Sequence, residues 1–195
     1  MSWKTYSPVP LSGIASYDVQ CKVGRKGSWR NLLVNTTKKA TYFKGKAGQS
    51  VYFRVRAEDN VGNVGRYSKP RRTIIPFDNE SFRSKQGFRR LRNLSSPNYL
   101  GTLRHSRNRG DTLVFRRSGN LFSIIAKKGK RMGKAQIYVD GRRKRIIDTY
   151  SSKTRSRKVV FTVKFSRIKT HTIKIVNLAT PNRRNLYIDG LVARK

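Results

Sequence analysis

Acidic residues are scarce in this chain: nine Asp and Glu stand against 46 Lys and Arg among 195 residues, a formal net charge of +37. That scarcity removes most of the equipment for hydrolysis, which needs paired carboxylates or a nucleophile with its base. The acids are also scattered, and several have immediate structural readings. Asp140 and Asp189 read as turn residues, Glu58 and Asp59 belong to the turn after a strand, and Asp148 sits in a strand-like run. Cysteine is rarer still. Cys21 is alone, which excludes an intrachain disulfide, and with the two distant histidines His105 and His171 it offers no zinc-ligand spacing. No D-x-D-x-D cluster suits calcium, although Asp78 with Glu80, or Glu58 with Asp59, would add carboxylates to a site built from backbone carbonyls. No catalytic residue, metal or cofactor is therefore assigned from the sequence. Long apolar runs are missing too: none approaches the roughly 20 residues of a transmembrane helix. The opening MSWKTYSPVP also lacks the apolar core and small-residue cleavage site of a signal peptide.

What the chain does have is alternation. In VYFRVRA, Val51, Phe53, Val55 and Ala57 fall on one side while Tyr52, Arg54 and Arg56 fall on the other. VVFTVKF places Val159, Phe161, Val163 and Phe165 together, and HTIKIV places Ile173 and Ile175 opposite Lys174. Successive side chains of a strand leave opposite faces of the sheet, so this period of two is the mark of half-buried strands. No window of similar length carries a helical stripe. Asp140-Gly141 and Asp189-Gly190 are dipeptides suited to the positive φ angles of tight hairpin turns, and Gly24, Gly27, Gly62 and Gly65 punctuate the first part. Many short strands so punctuated predict an all-β sandwich or barrel architecture.

Two kinds of residue are candidates for binding. Aromatic faces beside polar turns suit sugars, which points to Phe88 in SKQGFRRLRN, Tyr99 in SSPNYLGT and Tyr150 in DTYSS. Runs of positive charge in loops and strand ends suit polyanions. These runs are Lys127, Lys128, Lys130, Arg131 and Lys134 around two glycines, and Arg142, Arg143, Lys144 and Arg145 after the Asp-Gly turn. If they converge on one rim they make a phosphate- or sulfate-seeking surface. No recognition helix, RNA-binding motif or zinc finger accompanies them, so base-specific reading is not expected.

Residues 1–76 resemble a fibronectin type III domain. The resemblance is carried by SW at 2–3, by SGIASYDVQ at 12–20 as the entry to a third strand, and most closely by ATYFKGKAGQSVYFRVRAEDNVGNVGRYS at 40–68. It implies a sandwich missing its first strand and most of its second, with the exposed core edge covered by upstream sequence. Residues 77–195 resemble the galactose-binding-like jelly-roll modules, the carbohydrate-binding kind found in bacterial extracellular proteins. The matching pieces, in order, are GTLRHSRNRGDTLVF at 101–115, GKAQIYVDG at 133–141, IIDTYSS at 146–152, HTIKIV at 171–176 and NLYIDGLVA at 185–193. In the sugar-binding relatives ligands sit on loops or on a sheet face, and a calcium ion often supports the structure. The resemblance thus implies a non-catalytic extracellular or cell-surface module for a carbohydrate or cell-wall glycan, with a fibronectin type III spacer. The alternative is a non-specific polyanion binder for nucleic acid, teichoic acid or acidic glycan, driven by charge alone.

Overall fold

A computed structural model describes residues 2–3, 12–92 and 98–195, and the chain divides into two compact units, residues 1–75 and 76–195. The chain is all-β.

The first unit holds one antiparallel sheet of β1 (Ile14–Val23), β2 (Arg30–Thr36), β3 (Ser50–Asp59) and β4 (Arg71–Ile74), in the order β2-β1-β3-β4. Alternation does what it predicts. Tyr17, Val19 and Cys21 of β1 and Val51 and Phe53 of β3 are buried, with Val55 and Ala57 packed behind them. Trp3 closes this core edge-on against Tyr17, ring centroids 6.0 Å apart. The opposite face carries the cations. Arg54 lies between Trp29 and Tyr67, its guanidinium carbon 4.3 Å from each ring centroid, and Arg56 stacks on Tyr67 while its guanidinium pairs with Asp18 at 2.8 Å.

The second unit is a curled β-sandwich of the jelly-roll kind. Its strands are β5 (Phe77–Asp78), β6 (Arg89–Leu91), β7 (Leu103–Ser106), β8 (Thr112–Lys128), β9 (Lys134–Val139), β10 (Arg142–Asp148), β11 (Arg155–Asn177) and β12 (Leu186–Arg194). One hydrogen-bonded path runs β10-β9-β11-β8-β12-β7-β6, with β5 added to β12. The two long strands make it a sandwich. β11 pairs with β8 along both halves, yet β9 pairs only with Ile173–Asn177 of β11 and β12 only with residues 121–126 of β8. Each long strand therefore belongs to one layer at one end and to the other layer at the other, and the sheet folds over on itself.

Side-chain phase records that bend. Leu113 and Phe115 point inward before it, Phe122, Ile124 and Ala126 after it, so the inward set passes from odd to even positions across residues 116–121. A slip of one residue flips every following side chain to the other face, which is what a strand crossing between layers needs. On β11, Lys164 pairs with Leu121 and Lys169 with Gly119, so residues 165–168 face Asn120 alone. The core between the layers takes Leu113, Phe115, Ile137, Ile173 and Ile175 from one side and Phe122, Ile124, Leu186, Ile188 and Leu191 from the other.

Two local expectations fail. Asp189-Gly190 is not a hairpin turn but lies inside β12, where the register shifts between Ile188 and Gly190. Glycine is needed there because β5 crosses closely: a Cβ at Gly190 would stand 2.5 Å from the Phe77 carbonyl oxygen. Val159 does not join Phe161, Val163 and Phe165 at the core but is 60% exposed, because β11 shifts register between Val159 and Phe161. Asp140-Gly141, in contrast, forms the expected β9–β10 hairpin turn, with φ of 51° and 78° as a type I′ turn requires.

Candidate functional site

At the C-terminal end of β8, three loops are tied together by their backbones. Residues 129–133 follow β8, residues 149–154 follow β10, and residues 178–185 follow β11. The Gly133 carbonyl accepts the Thr149 hydroxyl at 2.6 Å and the Thr149 N–H at 3.0 Å, while the Gly133 N–H donates to the Asn185 carbonyl at 2.9 Å. Lys134 N–H donates to the Thr180 hydroxyl at 2.9 Å, and the Arg183 guanidinium donates to the Met132 carbonyl at 3.3 Å. Gly133 must be glycine, since a Cβ there would collide with the Arg183 carbonyl. The result is a rim whose loops hold one another in place.

Tyr150 is the aromatic that this rim presents. It is 48% exposed, its N–H donates to Asp148 Oδ1 at 2.8 Å, and the Arg183 guanidinium covers its ring at 5.0 Å from the centroid. Arg183 in turn grips Asp148 with both nitrogens, at 3.0 and 3.2 Å. Burial pushes the Asp148 carboxyl up. The bonds from Arg183 and from the Tyr150 N–H, with the charges of Arg183 and Lys134, outweigh burial and hold it below its ordinary value. It therefore stays an anion that fixes both the guanidinium and the ring. Lys130 and Arg131, in the loop after β8, and Lys134, opposite Asp148 in the register, are exposed. A rigid half-exposed ring amid donors is suited to the apolar face of a sugar and its hydroxyl or carboxylate groups.

The other sequence candidates fall elsewhere. Phe88 is 5% exposed and belongs to the core, so it offers no face to a ligand. The turn at Gly87, with φ of 72°, carries the chain from the exposed run into β6 and points Phe88 inward. Lys127 and Lys128 end β8, and the Lys127 ammonium lies over the Tyr187 ring at 5.7 Å. Arg142, Arg143, Lys144 and Arg145 do not join the rim. The register pairs Lys134 with Asp148 but Val139 with Arg142, so this run begins at the far end of the β9–β10 hairpin. Arg143 is tethered by its Nε to buried Gln136 at 2.5 Å, and Gln136 also donates to the Arg145 carbonyl. His171 holds Asp140 Oδ2 with Nδ1 at 2.7 Å and stacks on Phe165, while its Nε2 is buried, which leaves it a packing residue.

Tyr99, itself half-buried, belongs to a second group around Asp189 of β12. Its N–H donates to Asp189 Oδ1 at 2.8 Å, and burial, foremost, raises its hydroxyl pKa. Asp189 is fully buried. Burial pushes its carboxyl up to about 6, with the Tyr99 N–H and the Arg157 charge opposing and the Asp78 charge adding to the rise. Asp78 Oδ1 accepts from Asn79 Nδ2 at 3.1 Å and from the Thr102 hydroxyl at 3.0 Å. Arg157 donates to the Asn98 carbonyl at 2.9 Å. Asp189 Oδ2, Asn79 Oδ1 and Asn98 Oδ1 are buried with no hydrogen-bond partner. Among the described residues no three His, Cys, Asp or Glu gather as a metal-ligand set. The oxygens left over here are instead hard carboxylate and amide oxygens, the kind calcium takes.

No protein-family model matches the chain, and no curated protein sequence does. Solved structures do share its shape in part. The CBM36-1 domain of a multidomain xylanase from the hindgut metagenome of Trinervitermes trinervoides is 19% identical, over 59% of this chain and 91% of that one, with a TM-score of 0.42. A family 35 carbohydrate-binding module from an environmental isolate is 14% identical, over 63% of this chain and 93% of that one, with a TM-score of 0.46. An α-L-rhamnosidase from Aspergillus terreus is 10% identical over 96% of this chain and 24% of that one, with a TM-score of 0.49.

The sequence singles out Tyr150 but gives no sign of Arg183 and Asp148 as the pair that holds its ring. Arg183 is one arginine among many in a polar turn, and its partner lies 35 residues away in the chain. The buried oxygens around Asp189 were missed for the opposite reason: the dipeptide reads as a surface turn.

Proposed function

We propose that this chain is a non-catalytic, extracellular or cell-surface module that binds glycans through the three-loop rim of its second unit, with Tyr150 as the stacking platform. The observation that carries this reading is the locked triad of Asp148, Arg183 and Tyr150. Two charge-assisted bonds and a stacked guanidinium hold an aromatic ring half exposed, where core packing gains nothing from it. The first unit acts as a spacer of the fibronectin type III kind. Its order β2-β1-β3-β4 is that of the sheet containing the third, sixth and seventh strands of such sandwiches. Asp189, Asp78, Asn79 and Asn98 would hold calcium, which supplies a crosslink between β12 and the turns packed on it. Tyr150→Ala should weaken retention on the bound polysaccharide about tenfold, on the order of 1.4 kcal/mol, without lowering the melting temperature. Affinity electrophoresis across neutral and acidic polysaccharides tests this, and retention unchanged by the substitution rejects the platform.

A specific observation favours acidic polymers among those glycans. Among the described residues the ion pairs engage Arg56, Arg90, Arg104, His171 and Arg183, and no lysine at all. Most of the described cations therefore have no carboxylate partner within the chain. Binding to acidic polymers should fall by orders of magnitude over a few-fold rise in salt through counterion release, whereas binding of a neutral sugar should persist. Replacing Arg142, Lys144 and Arg145 by Gln should flatten the salt slope by about 2 to 3. Arg143 is kept in this variant because it holds Gln136. Tight binding indifferent to salt would exclude the electrostatic reading.

A further inference from the structure

We propose that the second unit carries a separate site for a phosphate or sulfate ester, built from Arg83, Arg116 and Arg117 at the bend of β8. These three arginines, with Ser118 and Thr170, line a solvent-open concavity of about 360 Å³. The fold brings them together through three independent features. Arg83 is fixed beside β8 because its N–H donates to the Val114 carbonyl at 2.6 Å and Ser84 bridges Val114. Arg116 and Arg117 are consecutive, and a regular pleat would send them to opposite faces. They lie where the inward set changes phase between Phe115 and Phe122, and both reach the same concavity. Thr170 stands directly across from Ser118 in the β11–β8 register, which places two hydroxyls side by side at its edge.

The chemistry of this lining is one-sided. It contains no carboxylate, and among the described residues none of the three arginines takes part in an ion pair. The Arg117 guanidinium is oriented by the Phe77 ring, 5.3 Å from its centroid. Planar guanidinium forks match the oxygens of a tetrahedral oxyanion in pairs, and hydroxyls add donors at the edge. The volume of the concavity lies at the small end of the range of ligand sites, about 300–1,000 Å³, which suits an ester on a small body. The rim ends β8 and this concavity lies at its bend, so the site stands whether or not the rim binds a glycan.

Calorimetric titration of the whole protein at low salt with glucose 6-phosphate, glucose 6-sulfate, glucuronate and glucose tests the assignment. One or both esters should bind saturably with one-to-one stoichiometry, the tighter ester identifying the source, while glucuronate binds at least about tenfold more weakly and glucose not at all. Arg83→Gln and Arg116→Gln should each lower ester affinity about tenfold, the value of a charge-assisted hydrogen bond. Arg116→Lys should lose several-fold although the charge is kept, because the fork is lost. The charge-matched variant Arg109→Gln should leave ester affinity within about twofold, since Arg109 is exposed next to Gly110, which is bonded to the Asn177 end of β11, and it changes only the long-range field. Each exchanged side chain is exposed, and an unchanged melting temperature confirms that the variants are folded. Glucuronate binding as tightly as the esters overturns the proposal, as does an equal loss in the charge-matched variant, or no saturable ester binding.

Discussion

In buffer stripped of calcium, raising the pH from 4 to 7 is expected to destabilise the second unit by about 2 kcal/mol. The cause is Asp189, whose carboxyl is raised by burial to about 6 from an ordinary 3.8. Between those two values the folded protein holds a proton that the unfolded chain has released. Stability from this group is thus fully present below pH 4 and is lost as the pH climbs through 6. Asp140 and Asp148 act in the opposite sense. In each, burial is outweighed, by His171 and the Thr172 N–H for one and by Arg183 for the other, so both are held below their ordinary values. Their contribution is present above pH 4 and fades as the pH falls below it. The melting temperature of this unit should therefore peak between pH 4 and 5. Calcium should erase the decline toward neutrality, because a bound cation stabilises the ionised Asp189, and the melting temperature at pH 7 should rise by several degrees. Asp189→Asn should remove both the decline and the calcium response. A melting temperature that climbs from pH 5 to 7 in chelator would refute the account of Asp189. A calcium response that survives in the variant would place the ion elsewhere.

Phe122→Ala should be the most damaging single substitution, at about 3–5 kcal/mol. Phe122 is the first inward residue after the β8 bend, fully buried, edge-on to Phe165 and His171 at 6.1 and 5.7 Å between centroids. Removing it opens a cavity and also takes the support from the His171–Asp140 pair that ties β11 to the β9–β10 turn. We expect the damage to stay within the second unit, because each unit has its own core and a domain with its own core unfolds on its own. Scanning calorimetry should show one transition lowered by about 15 °C or more and the other unmoved. Phe53→Ala should do the reverse, acting on the first unit only. A common shift of both transitions would reject independent folding.

The loop rim and the buried oxygen group differ in how they relate to the primary structure. Tyr150 was legible because an aromatic beside Asp, Thr and Ser after an alternating run is a local pattern, and the ring does lie just past the end of β10. Phe88 has an equally plausible local pattern and is a core residue. What separates them is which way the chain turns at Gly87, and that is decided by packing against β8 and β12. The charge runs make the same point. Each is visible as a run, but where it lies depends on register: Lys134 stands opposite Asp148 at the rim, while Arg142 pairs with Val139 at the far end of the hairpin.

The all-β class, the inward sets Val51–Phe53 and Ile173–Ile175, the Asp140-Gly141 turn and the excess of unpaired cations follow from the sequence by itself. Each is a property of residues within one strand or turn, where sterics and a period of two leave little choice. Tertiary structure alone decided the rest: the burial of Asp189, the exposure of Val159, the pairing of Arg183 with Asp148, and the meeting of Arg83 with Arg116 and Arg117. The Arg183–Asp148 pair depends on how the loop after β11 folds onto the end of β10, and the other three on where a strand slips register or crosses between layers. A slip of one residue is nearly invisible in composition or periodicity, yet it reverses which side chains face the core and which face solvent.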